Sequence, residues 1–253
     1  TELAALAPDA EVTVLAAEAG QVTNRPLLTD LIAGRTDPAL LDLDPVLPRH
    51  WQVWRGTACV AVDVGNRTVT DADGQEHPFD HLVLATGAEP RGLDGVTGSR
   101  PLVLRSRTDA DRILEHSDDR RVVVVGAGLL GVEVACALQM AGRRVQLVER
   151  ERQVLPGWLD ADSAAILASC LRDLGVGVHL GVDDHTTVAG DLVIACVGVR
   201  ARTHLARVAG LEVDRGVLTD GNAATGVEGV WAIGDCARRR GEEWRPMLDE
   251  GWD

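Results

Sequence analysis

The stretch Val122-Val123-Val124-Val125-Gly126-Ala127-Gly128-Leu129-Leu130-Gly131-Val132-Glu133-Val134-Ala135 decides how this chain is read. Four consecutive valines predict a parallel strand buried on both faces, since such strands carry near-continuous apolar runs. A Gly-x-Gly-x-x-Gly pattern follows at once, and Val134, Leu138 and Ala141 then recur at helical spacing. After Gly142 a second apolar strand, Val145-Gln146-Leu147-Val148, ends on Glu149. Glycines at 126, 128 and 131 let the backbone turn tightly, approach a pyrophosphate and pack helix on strand, while the helix start at Leu129 and Leu130 offers amide donors to phosphate. Glu149 stands 23 residues after Gly126, about where a carboxylate binds the hydroxyls of an adenosine ribose. A glycine triplet alone marks no more than a structural turn. Strand, glycines, helix, strand and acid in this order predict a dinucleotide site.

Composition narrows the class. A chain of 253 residues can bury one large core or two medium ones. Its 25 basic and 39 acidic residues give a net charge of −14, with no basic run beyond Arg238-Arg239-Arg240, which argues against a nucleic-acid partner. Every basic residue is Arg, and Lys and Tyr are absent, a bias of composition rather than a mark of function. Cys59, Cys136, Cys170, Cys196 and Cys236 form no Cys-x-x-Cys pair. That argues against a zinc site, an iron–sulfur cluster or a secreted disulfide framework, so no metal site is expected and each thiol reads as a small core residue. No segment reads as a membrane span or a signal peptide, and a cytoplasmic location away from the membrane is expected.

The rest of the chain reads as a second nucleotide-binding half interrupted by the first. Residues 1–7 look like the end of a helix, Pro8-Asp9-Ala10 turns, and Glu11 to Leu15 alternates as a strand that ends near Glu18. This order of helix, strand and acid is the back end of a dinucleotide fold whose glycine-rich front end is not in the sequence. Asn24 to Gly34 gives a polar start and a short helical run. Trp51 to Phe79 gives short strands broken by Gly65-Asn66 and Asp73-Gly74, two turn-forming pairs. His81-Leu82-Val83-Leu84 is an apolar strand ending in Ala85-Thr86-Gly87-Ala88. The nucleotide unit continues with a helix over 160–174 and a buried strand over 191–198 that ends in Gly198. Val230-Trp231-Ala232-Ile233 is a strand capped by Gly234-Asp235. The fold class is therefore α/β, with two Rossmann-like domains: 1–105 with 217–253, and 106–216 inserted between them.

Ala85-Thr86-Gly87, the glycine triplet from Gly126 and Trp231-Ala232-Ile233-Gly234-Asp235 together resemble the pyridine nucleotide-disulfide oxidoreductases, whose FAD domain is interrupted by an NAD domain in the manner of glutathione reductase. The resemblance runs over nearly the whole chain. It implies FAD and NADH as cofactors, the Thr-Gly strand end beside the flavin nucleotide, Asp235 on the ribityl and pyrophosphate region, and Glu18 on the FAD adenosine ribose. Without it, Asp235 reads as a solvated turn. Asn24-Arg25-Pro26-Leu27-Leu28-Thr29 is similar to the Tyr-Asn-Arg-Pro-Leu-Leu-Ser stretch of the nitrite reductase large subunits, and ferredoxin and rubredoxin reductases carry a related segment. Trp51, Leu155 and Leu159-Asp160 look like the same branch. Arg25, with Pro26, would then face the FAD phosphates; its plainer reading is an exposed arginine at a helix start. Glu133 matches the family glutamate near the nicotinamide amide and is the candidate catalytic residue, against a reading as helix-surface charge. Glu149 favours NADH, since a carboxylate repels a 2′-phosphate, and Arg150 leaves room for NADPH.

Three positions depart from the family. Thr23 stands in place of Tyr, and Asp30 in place of the ferredoxin-reductase lysine, so no Lys–Glu pair with Glu133 can form. The stretch from Gly181 to Asp191 is short for the family's strand pair. The dithiol branch needs cysteines beside the flavin, and Thr23 to Arg35 contains none. Reduction would end at the flavin, and hydride transfer is the cofactors' chemistry, with the protein supplying orientation and electrostatics. The resemblance thus implies an FAD-dependent NAD(P)H oxidoreductase passing electrons to a nitrite-reductase-type centre, a ferredoxin-like protein or domain, or a small molecule, and it leaves a homodimer open. A degenerate flavoprotein fold acting as a binding protein, or an NADH oxidase or quinone or nitro-compound reductase, are the alternatives. Residues are expected to be missing before Thr1, within 181–191 and after Asp253, where a C-terminal interface domain would follow.

Overall fold

A computed structural model describes residues 2–43, 45–93, 101–116, 121–183 and 190–244. In it the valine strand Arg121–Val125 lies inside a four-stranded parallel sheet whose order is Gly177–Leu180, Arg144–Glu149, Arg121–Val125, Leu192–Ala195. Val122 is paired with Val145 on one side and Leu192 on the other. Leu102 adds a parallel bridge to Ile194. Alternate valines face opposite ways. Val122 and Val124 join Val134 and Leu138 of the helix Leu129–Met140, while Val123 and Val125 pack with Val148, Val182 and Val193. Burial on both faces is why the strand has no polar residue after Arg121. The helix Ala161–Asp173 is capped by Asp160, whose carboxylate accepts from the Ser163 amide, and the helix Arg107–Glu115 starts in a capping box between Ser106 and Asp109. Such caps each stabilise a helix by about 1 kcal/mol.

The chain packs as two compact units, one made of residues 1–22, 44–89 and 199–253, the other of 23–43 and 90–198. These divisions differ from the boundaries at 105/106 and 216/217 expected from sequence. The difference at 23–43 has a packing cause: Leu28, Leu31 and Ile32 of the short helix Leu28–Ile32, with Leu41, are buried in the same core as Ala110, Ile113 and Leu138. At the far end, Val199–Ala201 pairs with Ala88–Pro90 and so belongs to the first unit.

In the first unit, Thr13–Ala16 runs parallel to Gln52–Arg55, and Leu82–Leu84 runs parallel to Val230–Ala232. Cys59–Asp63, Thr68–Asp71 and Glu76–Pro78 form an antiparallel meander, turning at the two dipeptides read from sequence. Val62, Val69, Leu84, Val217, Val230 and Ala232 close its core. The segment between Gly181 and Asp191, expected to be short, falls mostly on residues outside those described, as does the chain after Trp244.

Asp71 is 2% exposed, and its carboxylate accepts from His77 Nε2 at 2.9 Å, the Gln75 amide at 2.9 Å and the Asp73 amide at 3.0 Å. The His77 bond, more than the two amides, holds the Asp71 carboxyl below its ordinary range. A depressed carboxyl stabilises the fold above its unfolded-state pKa, and the contribution is lost as pH falls through the folded value. Asp71→Asn is therefore expected to weaken the fold at neutral pH and to flatten the acid limb of a Tm-versus-pH curve. An unchanged acid limb would sink this assignment.

Candidate functional site

Each loop glycine answers to a different constraint. Gly126 has φ +100°, and a Cβ there would collide with the carbonyl oxygen of Cys196. A Cβ on Gly131 would fall on the carbonyl oxygen of Gly126, so that glycine lets the helix approach the strand end. Gly128 has open space around it and forms the N-cap of the helix Leu129–Met140, where no side chain caps the first amides. This leaves amides pointing outward beside a backbone that nothing screens, the arrangement that binds phosphate. Leu130 is partly buried against the core and fixes the helix start.

Glu149, at the end of its strand, turns back onto the loop. Its Oε2 accepts from the Ala127 amide at 2.6 Å and its Oε1 from the Glu151 amide at 2.9 Å. Ala127 is held on its other side too, since its carbonyl accepts from the Leu155 amide at 2.8 Å. Leu155 makes that bond at φ +47°, a left-handed conformation that costs a non-glycine residue about 1–3 kcal/mol. Strain and carboxylate together fix the loop peptide. Both Glu149 oxygens keep a lone pair that a ribose diol could use. Sequence reading named Glu149 for the ribose and missed its grip on Ala127. Arg150 is largely exposed and 3.6 Å from Glu151, and with Arg152, Pro156 and Gly181 it lines a shallow cavity beside the loop. Gly198, at φ +89°, accepts from the Arg91 amide at 3.0 Å.

On the same helix, Glu133 lies toward the segment that carries Asp30. Glu133 is exposed as a residue, yet desolvation by its neighbours, then the charge of Asp30, push its carboxyl above the ordinary range. Arg35 donates to Asp30 at 2.6 Å from Nη2 and 2.9 Å from Nε, a contact with no signal in the sequence. Arg25 and Pro26 open a turn of 3₁₀ helix over Arg25–Leu27, and Arg25 is exposed.

In the first unit the two parallel strands Leu82–Leu84 and Val230–Ala232 bring Ala85-Thr86-Gly87 and Gly234-Asp235 to one end, their C-terminal end. Ligands of open α/β sheets bind at such ends. The Ile233 amide donates to the Leu84 carbonyl at 3.0 Å and the Cys236 thiol to the same carbonyl at 3.2 Å, which ties the two loops together. Thr86 Oγ1 donates to the Arg202 carbonyl at 2.7 Å. Gly87 and Gly234 take φ +68° and +69°, conformations that glycine adopts freely. Glu18 follows Thr13–Ala16 at the corresponding end of the other parallel pair.

Three thiols are held toward their neutral form. Burial pushes Cys196 up to about 12, and burial also raises Cys59 and Cys136. Among the described residues, no helix is long and apolar enough to cross a membrane.

Comparison with known proteins agrees with this geometry. The pyridine nucleotide-disulphide oxidoreductase family model matches residues 1–251. The chain is 31% identical over 254 residues to a nitrite reductase (NAD(P)H) of Bacillus subtilis (strain 168), covering 91% of this chain and 31% of that protein. It is 34% identical over 204 residues to a rubredoxin-NAD(+) reductase of Pseudomonas putida, covering 73% of this chain and 53% of that one. Its fold is similar to that of putidaredoxin reductase in covalent complex with putidaredoxin, with TM-score 0.86, 26% identity and coverage of 97% of this chain and 66% of the other. The chain thus spans about a third to a half of these two curated relatives. With two parallel α/β units, a glycine loop clasped by Glu149 and a family match over nearly its whole length, the chain belongs to the pyridine nucleotide-disulphide oxidoreductases.

Proposed function

We propose that this chain is the electron-input part of an FAD-dependent NAD(P)H oxidoreductase without a redox-active disulfide. The observation that carries the reading is the clasp of Glu149 on Ala127 beside an uncapped helix start, a preformed cradle for a nicotinamide dinucleotide. The residues present fit that group: open space at Gly128 for phosphate, and free lone pairs on Glu149 for a ribose. FAD is assigned to the first unit, with Glu18 on its adenosine ribose, Asp235 nearer the ribityl chain, and Ala85, Thr86, Gly87 and Gly234 as its backbone wall. NADH is assigned to the second, with Gly126, Gly128, Leu129, Leu130, Gly131, Gly198, Glu149 and Arg150 around it and Glu133 toward its nicotinamide. When bound, the two cofactors supply hydride transfer, and the side chains hold and orient them. The names of the relatives support a redox protein or a nitrite-reductase-type centre as acceptor, and a cytoplasmic location goes with that reading.

An NADH oxidation assay of the purified protein against ferredoxin-like proteins, nitrite, quinone and oxygen tests the activity. A colourless preparation that takes up no FAD would end the reading. Asp235→Ala is expected to weaken FAD binding by about one to two decades, the usual cost of about 1–3 kcal/mol for a lost partner. Retention of FAD as tight as wild type through gel filtration would remove Asp235 from the site.

Electrons are expected to leave the flavin without a thiol. With all five cysteines replaced by Ala or Ser, the folded, flavin-loaded protein should be reduced by NADH at a rate similar to wild type per bound FAD, as read by stopped-flow bleaching. Cavities left in the core lower stability without touching that rate. Loss of reduction in a folded variant, or a thiolate–flavin charge-transfer band in the reduced wild type, would overturn the assignment.

A further inference from the structure

Glu133, Cys136 and Met140 share one face of the helix Leu129–Met140 at helical spacing. The segment 28–35 packs on that face, and its charges are Asp30 and Arg35. Arg35 reaches Met140 Sδ at 3.8 Å with Nη1 and gives Nε and Nη2 to a single oxygen of Asp30. The guanidinium that faces the cluster is therefore committed to Asp30. Glu133 has no hydrogen bond or ion pair among the described residues. On the helix's other side, Val134, Ala135, Ala137 and Leu138 are buried against the sheet. At the charged ends of the two strands behind it, Arg121 is engaged with Asp191 at 2.5 Å and Glu149 with the loop amides, and Arg144 stands exposed at the strand start. A carboxyl thus sits two residues after the last loop glycine, facing a segment whose carboxylate and guanidinium are bonded to each other.

We propose that a nicotinamide dinucleotide binding at the glycine loop carries a proton onto Glu133, so that dinucleotide affinity is linked to pH through this one carboxyl. The inference rests on the dinucleotide reading of the loop. A ligand whose phosphates sit at the helix start takes water from the solvent side of Glu133 and brings two further negative charges. Desolvation and like charge both disfavour the ionised form, and Arg35, the cation on the facing segment, is already held by Asp30. The proton comes from solvent and stays on the carboxyl. Affinity is then highest at low pH and falls about tenfold per pH unit above the free-protein pKa of Glu133, until the bound-state pKa is passed.

Calorimetric titration of the flavin-loaded full chain with tetrahydro-NAD, a dinucleotide that cannot donate hydride, tests this as pH is raised from the ordinary carboxylate range through neutrality. Two buffers of different ionisation heat read the proton number directly. Wild type is expected to take up close to one proton and to lose affinity as pH rises. Glu133→Gln should bind at all pH values as wild type does at low pH, with no uptake. Asp30→Asn, which removes the facing charge, should show a smaller uptake. Affinity flat with pH in wild type, or uptake that survives in Glu133→Gln, overturns the inference and leaves the dinucleotide reading intact. Absence of tetrahydro-NAD binding at every pH overturns the dinucleotide reading and the inference with it.

Discussion

Gly126→Ala is expected to lower stability by about 3 kcal/mol or more, combining a strained backbone at about 1–3 kcal/mol with overpacking at about 1–3 kcal/mol. The new methyl group meets the carbonyl carbon of Cys196 at 2.8 Å as well as its oxygen, and neither can rotate away, because the Cys196 amide is bonded to the Val125 carbonyl at 2.7 Å. The backbone at φ +100° adds its own strain. For a chain of this size that loss corresponds to a drop in Tm of roughly 6–12 °C. Gly128→Ala gives the contrast: with open space around it and φ −72°, it should melt like wild type yet bind dinucleotide poorly, since the methyl group would stand where the proposed function brings the phosphate. Thermal melts with and without NADH distinguish the two. A Gly126→Ala protein that melts with wild type would mean that the strand end is not held as described.

Glu149→Ala should cost about one to two decades in NADH affinity, because charge-assisted hydrogen bonds are worth about 1.5–3 kcal/mol. The loss has two parts. The ribose loses an acceptor, and the Ala127 and Glu151 amides lose theirs, so the loop is released before any ligand arrives. NADPH should lose less, since its 2′-phosphate is freed from a facing carboxylate while Arg150 and Arg152 remain on the same rim. Wild type is accordingly expected to favour NADH in kcat/KM, with the gap narrowing in the variant. A wild-type preference for NADPH, or an equal fall for both cofactors, contradicts the placement of Glu149.

The parts of this site that rest on period and backbone geometry are legible in the residues. Val122 to Val125 read as a doubly buried strand, and a Cβ at Gly126 or Gly131 would meet backbone, while Gly128 has open space around it. Contacts between distant segments are not legible in the same way. Leu28, Leu31 and Ile32 declare a buried stripe, but five helical residues do not say which core receives it, and it goes to the unit of Ile113 and Leu138. Leu155 carries no mark of its left-handed backbone, because leucine does not favour it; its bond to Ala127 forces the angle. Asp30 is visible as a departure at one position, whereas the commitment of Arg35 to it depends on how the chain turns after Ile32.

The interleaving of the two units sets an order of events during synthesis. The unit built from 23–43 and 90–198 has all its strands once residue 198 has left the ribosome. The other must wait: Val62, Val69 and Leu84 are made early, but the residues that cover them, Val217, Val230 and Ala232, come more than a hundred positions later. Pairing of Leu82 with Val230 is a contact of very long sequence separation, the kind that forms slowly and leaves apolar strand edges open meanwhile. Yield in a cell should therefore depend on translation rate and on holding chaperones more than the final stability suggests, with aggregation traced to the meander around Val62 and Val69 rather than to the glycine-loop unit.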